Sequence, residues 1–313
     1  MTTILNIRAQ SLATRAGLPD GVEESLTGNG ARILDFGIQT PGGLQAGEFL
    51  TGLCMSLYGG VSVQQGPLDG SSWPHVVVHT DRPVEACLLS QYAGWKISVG
   101  SYFAMGSGPM RAAAASEELF KTLDYRESPG LVVGILESGT LPDADVVSYI
   151  AEKCGVTPDS VTLAVAPTSS IAGTFQVVAR SVETSMHKLF ELGFDVKRIR
   201  HGFGSAPLPP VAADDLTGIG LTNDAILYGG EVTLWASGDD DSIADVVGKV
   251  PSSSAACYGQ PFLDIFREAD HDFYKIDPML FSPAAVTILN LDTGRVHRAG
   301  QVNHEVLKKS IGL

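Results

Sequence analysis

The stretch "VTLAVAPTSSIAGTFQVVARSVETSMHKLFELGFD", residues 161–195, joins a short apolar run to a long segment with helical spacing. The run at 161–167 is typical of a buried strand, whereas 169–195 predicts one long helix whose apolar residues recur at every third or fourth position. Gly193 is placed to end that helix. Strands and helices also intermix elsewhere in the chain, so the expected class is α/β with some α+β character.

A polar stripe runs along the same predicted helix, beside the apolar one. It consists of Gln176, Arg180, Glu183 and His187. Steps of 4, 3 and 4 residues place these side chains on one narrow face of a helix. A solvated face normally carries several Lys–Glu pairs, but this stripe is framed by Val, Phe and Met. It therefore faces either water or a ligand, and the residue types leave both interpretations open.

The charge balance of the chain argues against two classes of partner. Lys and Arg total 21 against 35 Asp and Glu, which gives 21 − 35 = −14. Nucleic-acid binding needs a basic surface, and an anionic membrane would repel so acidic a protein. The length of 313 residues suits two domains or one large one, and 44% hydrophobic residues indicate a globular protein.

Cysteines and apolar runs give little sign of metal, disulfide or membrane chemistry. The four cysteines, at 54, 87, 154 and 257, are far apart, so there is no C-x-x-C pattern and we expect small buried residues. The N-terminal residues lack a long apolar core of a signal peptide. "LVVGIL" at 131–136 is far too short to span a bilayer. We expect a soluble, cytoplasmic protein.

Two domains flanking a cleft are expected, an N-terminal one at 1–127 and a C-terminal one at 128–313 that carries the long helix, and discontinuous domains are the alternative. The break is placed near "YRESPG", 125–130. The predicted elements include helices at 4–16 and 143–155, strands at 31–38, 75–80 and 130–138, a short helix at 223–228, and a hairpin formed by 284–291 and 294–300.

A glycine-containing segment, "AMGSGPMR" at 104–111, precedes a predicted alanine-rich helix. Gly106, Ser107 and Gly108 could bind an anion there, because the N–H groups at a helix start favour negative charge and glycine allows close approach. An ordinary structural turn explains the same residues equally well. The segment matches no Walker or G-x-G-x-x-G pattern, so it does not predict a nucleotide site.

Other candidate sites are weaker. His75 and His79 share a strand face, but no third metal ligand is evident. The basic cluster Lys197, Arg198 and Arg200 is best explained as a solvated edge strand. The sequence contains neither a G-x-S-x-G nor an H-E-x-x-H motif. The polar stripe therefore remains the leading candidate.

Several blocks of the chain together resemble methenyl-tetrahydromethanopterin cyclohydrolases. The blocks are "GARILDFGIQTPGGLQAG" (30–47), "SQYAGWKI" (90–97), "YFAMGSGPMRA" (102–112), the stretch from 166 to 195, "GFGSAPLPP" (202–210) and "RVHRAGQVN" (295–303). They are independent of one another and cover nearly the whole length. The resemblance is therefore specific to this family.

The resemblance implies a two-domain α/β subunit with a large pocket between the domains, assembled as a homotrimer. It implies hydrolysis of a cationic methenyl-tetrahydropterin to its formyl derivative, with no metal or redox cofactor. Through the block "ARSVETSMHK", the catalytic arginine and glutamate of the family fall on Arg180 and Glu183. A catalytic lysine is also attributed to the family, and Lys96 in "GWKI" is the candidate.

The chemistry of such a substrate fits the stripe. The methenyl carbon lies between two nitrogens in an amidinium-like cation, so it is already electrophilic and a water must be positioned and deprotonated. A carboxylate one helical turn from an arginine suits both requirements. Gln176, His187 and the 106–108 segment are expected to bind the substrate. Two alternatives remain open: a non-catalytic protein that binds the pterin carrier, and a phosphate-binding transferase that uses 104–111.

Overall fold

The structure, a computed structural model, describes residues 4–15 and 17–313. The chain forms two compact units: the first comprises Met1–Gly59 and Glu85–Gln176, and the second comprises Gly60–Val84 and Val177–Leu313. Helices and a six-stranded mixed sheet occur in each unit, which confirms the α/β class. The predicted boundary between residues 127 and 128 lies inside the first unit, because the chain passes between the units at three places rather than one.

The strands of the described residues, in chain order, are β1 (Glu23–Leu26), β2 (Arg32–Asp35), β3 (Gly59–Leu68), β4 (Ser71–Thr80), β5 (Trp95–Val99), β6 (Tyr102–Ser107), β7 (Val132–Glu137), β8 (Val161–Ala166), β9 (Ile199–Pro207), β10 (Glu231–Ala236), β11 (Ala285–Asn290) and β12 (Val296–Gly300). The sheet of the first unit has the order β1-β2-β8-β7-β6-β5, and that of the second has the order β12-β11-β10-β9-β4-β3. In the first sheet β2, β8 and β7 are parallel, so their carboxyl ends meet at one edge.

The α-helices are α1 (Leu5–Arg15), α2 (Leu44–Cys54), α3 (Met110–Ala114), α4 (Glu118–Leu123), α5 (Ala144–Cys154), α6 (Ile171–Val178), α7 (Ser181–Glu191), α8 (Asp215–Gly229), α9 (Asp240–Val247), α10 (Phe262–Glu268) and α11 (His304–Ile311). A π-helix spans Val84–Gln91, and short 3₁₀ helices span Pro158–Ser160, Val196–Arg198, Ser252–Ser254, Phe273–Lys275 and Pro278–Leu280. Among the described residues, no helix is both long enough and apolar enough to cross a membrane.

The prediction of one long helix over 169–195 is wrong. Two helices occupy this stretch, α6 and α7, and Ala179 and Arg180 form a turn between them. The Arg180 N–H bonds to the Val177 carbonyl, three residues back instead of four, and its φ of −85° and ψ of 8° leave the helical region. Alanine and arginine are both good helix formers, so packing of the two segments decides the break rather than local propensity.

Other predicted elements vary in accuracy. The N-terminal helix is confirmed as α1, and the C-terminal hairpin is confirmed as the antiparallel pair β11 and β12. The short helix predicted at 223–228 is wrong, since α8 begins at Asp215, where the Asp214 side chain accepts the Thr217 N–H and caps it. The alanine-rich helix predicted after the glycine segment is also wrong in extent. It divides into α3 and α4 because Ala115 is left-handed, with a φ of 45°.

The sheet of the first unit is packed on both faces. One face buries Ile33, Ile97, Ala104 and Leu136 against α3 and α5. The other buries Leu34, Val133, Ile135 and Ala164 against α1 and α2. Successive side chains of a strand point to opposite faces of the sheet, so every second residue points to the face that α1 and α2 cover. At β5 and β6 this face is not fully covered, because Lys96, Ser98 and Phe103 are exposed there.

Candidate functional site

The helix α7 lies close against the strand β9 because two glycines of that strand have no side chains. A Cβ on Gly204 would lie 2.4 Å from the Ser181 Oγ, and one on Gly202 would lie 2.6 Å from the Val182 Cγ1. Any larger residue at either position would push the start of α7 away from the sheet. The segment "GFGSAPLPP" therefore has a structural reason for its glycines: it sets the position of the residues that begin α7.

Arg180 and Glu183 are brought together at that helix start. Arg180 Nη1 lies 3.9 Å from Glu183 Oε2, and the two residues are only 5% and 3% exposed. Taking an ion pair out of water is costly, and hydrophobic residues of the same size would often be equally stable. Buried charges of this kind occur preferentially at functional sites. The solvated-face interpretation of this part of the stripe is therefore wrong.

The break before α7 changes the environment of Glu183. In one continuous helix Glu183 would lie in the middle, but here it is in the first turn of α7, with Arg180 at the capping position. Backbone N–H groups at a helix start lack partners within the helix, and they stabilise a negative charge nearby by about 0.3–1 kcal/mol. A carboxylate so placed is held both by a guanidinium and by the start of a helix.

The other two members of the stripe, Gln176 and His187, each contact a glutamate of their own unit. Gln176 is 1% exposed and donates from Nε2 to Glu137 Oε1 at 3.0 Å, within the first unit. His187 is half-buried, and its Nε2 lies 3.5 Å from Glu191 Oε1, one turn further along α7. The four residues therefore do not belong to one continuous helix, since Gln176 is on α6, Arg180 precedes α7, and Glu183 and His187 are on α7.

Lys96 lies on the exposed part of the first unit's sheet. Its register partner on β6 is Met105, and the partner of Met105 on β7 is Glu137. Residues directly opposite one another point to the same face, so Lys96, Met105 and Glu137 form one row. The Lys96 ammonium lies 5.8 Å from the centre of the Phe103 ring, on the same face.

Glu137 is a residue that the sequence patterns did not single out. It is half-buried at the carboxyl end of β7, a central strand with parallel pairing to β8. Ligands of open α/β sheets bind at the carboxyl ends of the strands. An acidic residue directly after the apolar run "LVVGIL" was the available signal, but in the sequence it marks no more than the end of a predicted strand.

The glycine segment is buried inside the first unit. A Cβ on Gly106 would lie 2.9 Å from the Ile97 Cδ1, and one on Gly108 would lie 2.5 Å from the Ile135 Cδ1. The Ser107 Oγ lies 3.5 Å from the Cys54 Sγ. These contacts give all three residues a packing role, and the helix α3 that follows has only five residues. Their predicted part in substrate binding stays a prediction.

Arg111, which follows the glycine segment, holds other parts of the unit in place. Its guanidinium is buried, pairs with Glu117 and donates to the carbonyls of Leu88 at 3.1 Å and Ser90 at 3.2 Å. These bonds tie the π-helix at Val84–Gln91 to α3 and link α3 to Glu117, the residue before α4. Arg111 is therefore a structural residue rather than an anion ligand beside the glycines.

Lys188 is a second residue that the sequence patterns did not single out. It lies on α7 and is 1% exposed, and its Nζ donates to the Ser254 Oγ at 3.1 Å and to the Met279 carbonyl. Burial lowers the pKa of its ammonium from 10.5 to about 8, and Asp277 opposes this shift. The contacts tie α7 to the 3₁₀ helices Ser252–Ser254 and Pro278–Leu280 of the same unit.

The weaker candidates show little that favours ligand binding. His75 is buried with its Nδ1 3.1 Å from the Ser205 Oγ, while His79 is exposed. Within residues 4–15 and 17–313, no cluster of three or more His, Cys, Asp or Glu is arranged to hold a metal ion. The edge-strand interpretation of 197–200 is wrong, because β9 lies between β10 and β4, and Arg198 bonds to the Ser237 carbonyl and the Ser242 Oγ.

Comparisons with known proteins agree over nearly the whole chain. The family described as Cyclohydrolase (MCH) matches residues 13–311. A methenyltetrahydromethanopterin cyclohydrolase of Rhodopirellula baltica is 49% identical over 293 residues, which are 92% of this chain and 88% of that protein. Proteins of the same name are 43% identical in Methylobacillus flagellatus, over 91% of this chain and 87% of theirs, and 42% identical in Methanococcoides burtonii, over 93% and 92%.

Proposed function

The chain belongs to the Cyclohydrolase (MCH) family, and from that premise we infer that it hydrolyses the methenyl-tetrahydromethanopterin cation to formyl-tetrahydromethanopterin. We propose that Glu183 and Arg180 carry the chemical step. The observation that supports this assignment is the burial of their charged pair at the start of α7, with Arg180 Nη1 and Glu183 Oε2 3.9 Å apart.

The first step is attack of water on the methenyl carbon. The Glu183 carboxylate accepts one hydrogen bond from that water and takes its proton as the new C–O bond forms, and the amidinium charge is lost. Proton transfer to a positioned carboxylate contributes about 10²–10⁴-fold to such a rate. One of the two C–N bonds then breaks, the hydroxyl proton moves to the released nitrogen, and the carbon is left as a formyl group. The net reaction releases one proton.

Arg180 orients the carboxylate and keeps it ionised. A guanidinium this close also lowers the basicity of a carboxylate. The pair therefore accelerates hydrolysis more by positioning the water next to the methenyl carbon than by the basicity of the carboxylate. Negative charge on Glu183 also favours binding of a cationic substrate over a neutral one.

Lys96 is proposed as a third catalytic residue on the strength of the family resemblance, with its ammonium interacting with the oxygen that the water contributes. Gln176, His187 and residues 106–108 are proposed as substrate-binding residues. We further propose that the protein works in the cytoplasm as a homotrimer and takes the pterin carrier as a substrate, without a metal or redox cofactor. Sedimentation of the purified protein measures the assembly directly.

One assay separates the proposed activity from the two alternatives. Purified protein is mixed with methenyl-tetrahydromethanopterin, and the near-ultraviolet absorbance of the cation is followed. A cyclohydrolase removes this absorbance with repeated turnover. A carrier-binding protein can change the absorbance of at most one equivalent of the cation per protein, without turnover. A phosphate-binding transferase leaves the absorbance unchanged.

A further inference from the structure

We propose that Lys188 is a positioning residue, which anchors α7 to two 3₁₀ helices of the second unit and thereby fixes where Glu183 lies. The inference rests on the proposed function, because it takes Glu183 as the residue that activates water. It assigns to Lys188 an effect on the chemical step that passes through another side chain.

Lys188 and Glu183 are carried by the same short helix. The helix α7 spans Ser181–Glu191, and both side chains are buried. Lys188 follows Glu183 by five positions in the sequence, which is about 7.5 Å along the helix axis. A helix of three turns moves as one piece over such a distance. A shift of α7 at Lys188 therefore displaces Glu183 by a similar amount.

The ammonium of Lys188 is bonded to both 3₁₀ helices. Its Nζ donates to the Ser254 Oγ at 3.1 Å, in Ser252–Ser254, and to the Met279 carbonyl, in Pro278–Leu280. Lys188 is 1% exposed, and taking an ammonium out of water costs free energy that an apolar side chain of the same size would not cost. Filling of space therefore does not explain a lysine at this position, whereas its two bonds do.

The segments that Lys188 reaches are themselves held by other parts of the unit. The Ser252 hydroxyl donates to the Leu227 carbonyl on α8, and the Ser254 hydroxyl donates to the Lys249 carbonyl, which follows α9. Leu280, in the other 3₁₀ helix, is fully buried in an apolar cluster of the same unit. Lys188 therefore connects α7 to a fixed part of the fold.

The bonds of Lys188 add a constraint that the packing at the start of α7 lacks. There the helix lies against Gly202 and Gly204 of β9, and those contacts limit its distance from the sheet. Packing has little directional preference, whereas hydrogen bonds are directional and oppose sliding of the helix along its axis. A displacement of about 1 Å in a catalytic group can cost about 10²-fold in rate, so this constraint bears on the chemical step.

The test is a double-mutant cycle on kcat for the methenyl cation. Lys188→Met removes the ammonium but keeps a long side chain, and Lys309→Met, at an exposed lysine on α11 of the same unit, is the control. We expect kcat to fall by about 10–100-fold in Lys188→Met and to be unchanged in Lys309→Met. In the Glu183→Gln background, Lys188→Met is expected to cost less than about twofold, because the carboxylate that it positions is gone.

A binding measurement separates positioning from general damage to the fold. Tetrahydromethanopterin carries no one-carbon unit and cannot react, and its Kd, measured by calorimetry, is expected to be the same for Lys188→Met and the wild type. Ser254→Ala removes one acceptor at an exposed residue, so it is expected to lower kcat by a smaller factor. It serves as the second variant should Lys188→Met not fold.

Three results would overturn the proposal. They are an unchanged kcat in the folded variant, an equal loss of kcat with and without the Glu183 carboxylate, and a loss of kcat matched by an equal loss of affinity for the neutral carrier. A wild type that does not turn over the cation contradicts the proposed function, and this inference with it. That failure is seen in the wild type alone, so it is distinct from a failure of Lys188 to position Glu183.

Discussion

At the scale of single residues, Asp224 links three helices of the second unit. Its carboxyl is 1% exposed, accepts the N–H of Phe262 at the start of α10, and accepts the hydroxyl of Ser310 on α11. Burial raises the pKa of this carboxyl from 3.8 to about 7. The folded protein therefore holds a proton there that the unfolded chain releases near pH 4.

Because the pKa of Asp224 is higher in the folded protein than in the unfolded chain, its contribution to the free energy of unfolding falls as pH rises. The contribution of the protonated carboxyl is fully present below about pH 4 and is lost as pH rises to about 7, at up to about 1.4 kcal/mol per pH unit. Asp224→Asn cannot titrate, and it keeps a hydrogen bond to each partner, because its Oδ1 accepts the Phe262 N–H and its Nδ2 donates to the Ser310 Oγ. Urea unfolding between pH 4.5 and 8 is expected to show a wild-type advantage over Asp224→Asn that shrinks with pH. The exposed Asp245→Asn serves as the control, and parallel profiles for wild type and Asp224→Asn would contradict this role of Asp224.

At the scale of elements, Gly108 shows how the glycine segment depends on its surroundings. Its φ is +84°, a conformation that strains other residues, and an added Cβ would lie 2.5 Å from the Ile135 Cδ1 on β7. We expect Gly108→Val to lower the free energy of unfolding by about 2–5 kcal/mol. Gly130→Val is the control, because an added Cβ there meets no atom within 4 Å.

Denaturant unfolding of both variants decides between two roles for the segment. A large loss for Gly108→Val alone supports the packing role. Unchanged stability together with weaker substrate binding would contradict it and would support direct contact of the segment with the ligand.

The elements also show where sequence patterns predict structure well. The hairpin of β11 and β12 depends on neighbours in the sequence, so the pattern and the turn at Asp292 and Thr293 sufficed to predict it. The stretch 169–195 has an uninterrupted helical pattern, yet it breaks at Ala179 and Arg180. Residues distant in the sequence, such as Gly202 and Gly204 under the start of α7, determine that packing, and no local pattern reveals them.

At the scale of the whole molecule, pairing between distant strands decides which residues belong to each unit. Residues 60–84 belong with the C-terminal unit because β4 pairs with β9, more than a hundred residues later. Long-range strand pairing has no signature in a single sequence. The same reason applies to the candidate site: Arg180 and Glu183 lie at positions i and i+3, so a local pattern could propose them together, whereas the link from Gln176 to Glu137 spans 39 residues and was missed.

The need for a metal ion is a question about the whole enzyme, and we predict that turnover needs none. The methenyl carbon is electrophilic without a Lewis acid, so exhaustive dialysis against a strong chelator is expected to leave turnover unchanged. The absorbance assay before and after dialysis checks this. Activity that disappears on chelation and returns with one particular divalent ion would contradict the prediction, and His75 and His79 would then be the first residues to substitute.

The central claim is that Glu183 is the residue that activates water, and replacing its carboxylate by an amide tests it most directly. Glu183→Gln keeps the size of the side chain but removes its charge and its basicity. The measurement is kcat for the methenyl cation, with folding checked by thermal unfolding and Glu268→Gln, an exposed glutamate of the same unit, as the control. We expect kcat to fall by about 10²-fold or more in Glu183→Gln and to be unchanged in Glu268→Gln. A folded Glu183→Gln protein that turns over near the wild-type rate would contradict the claim.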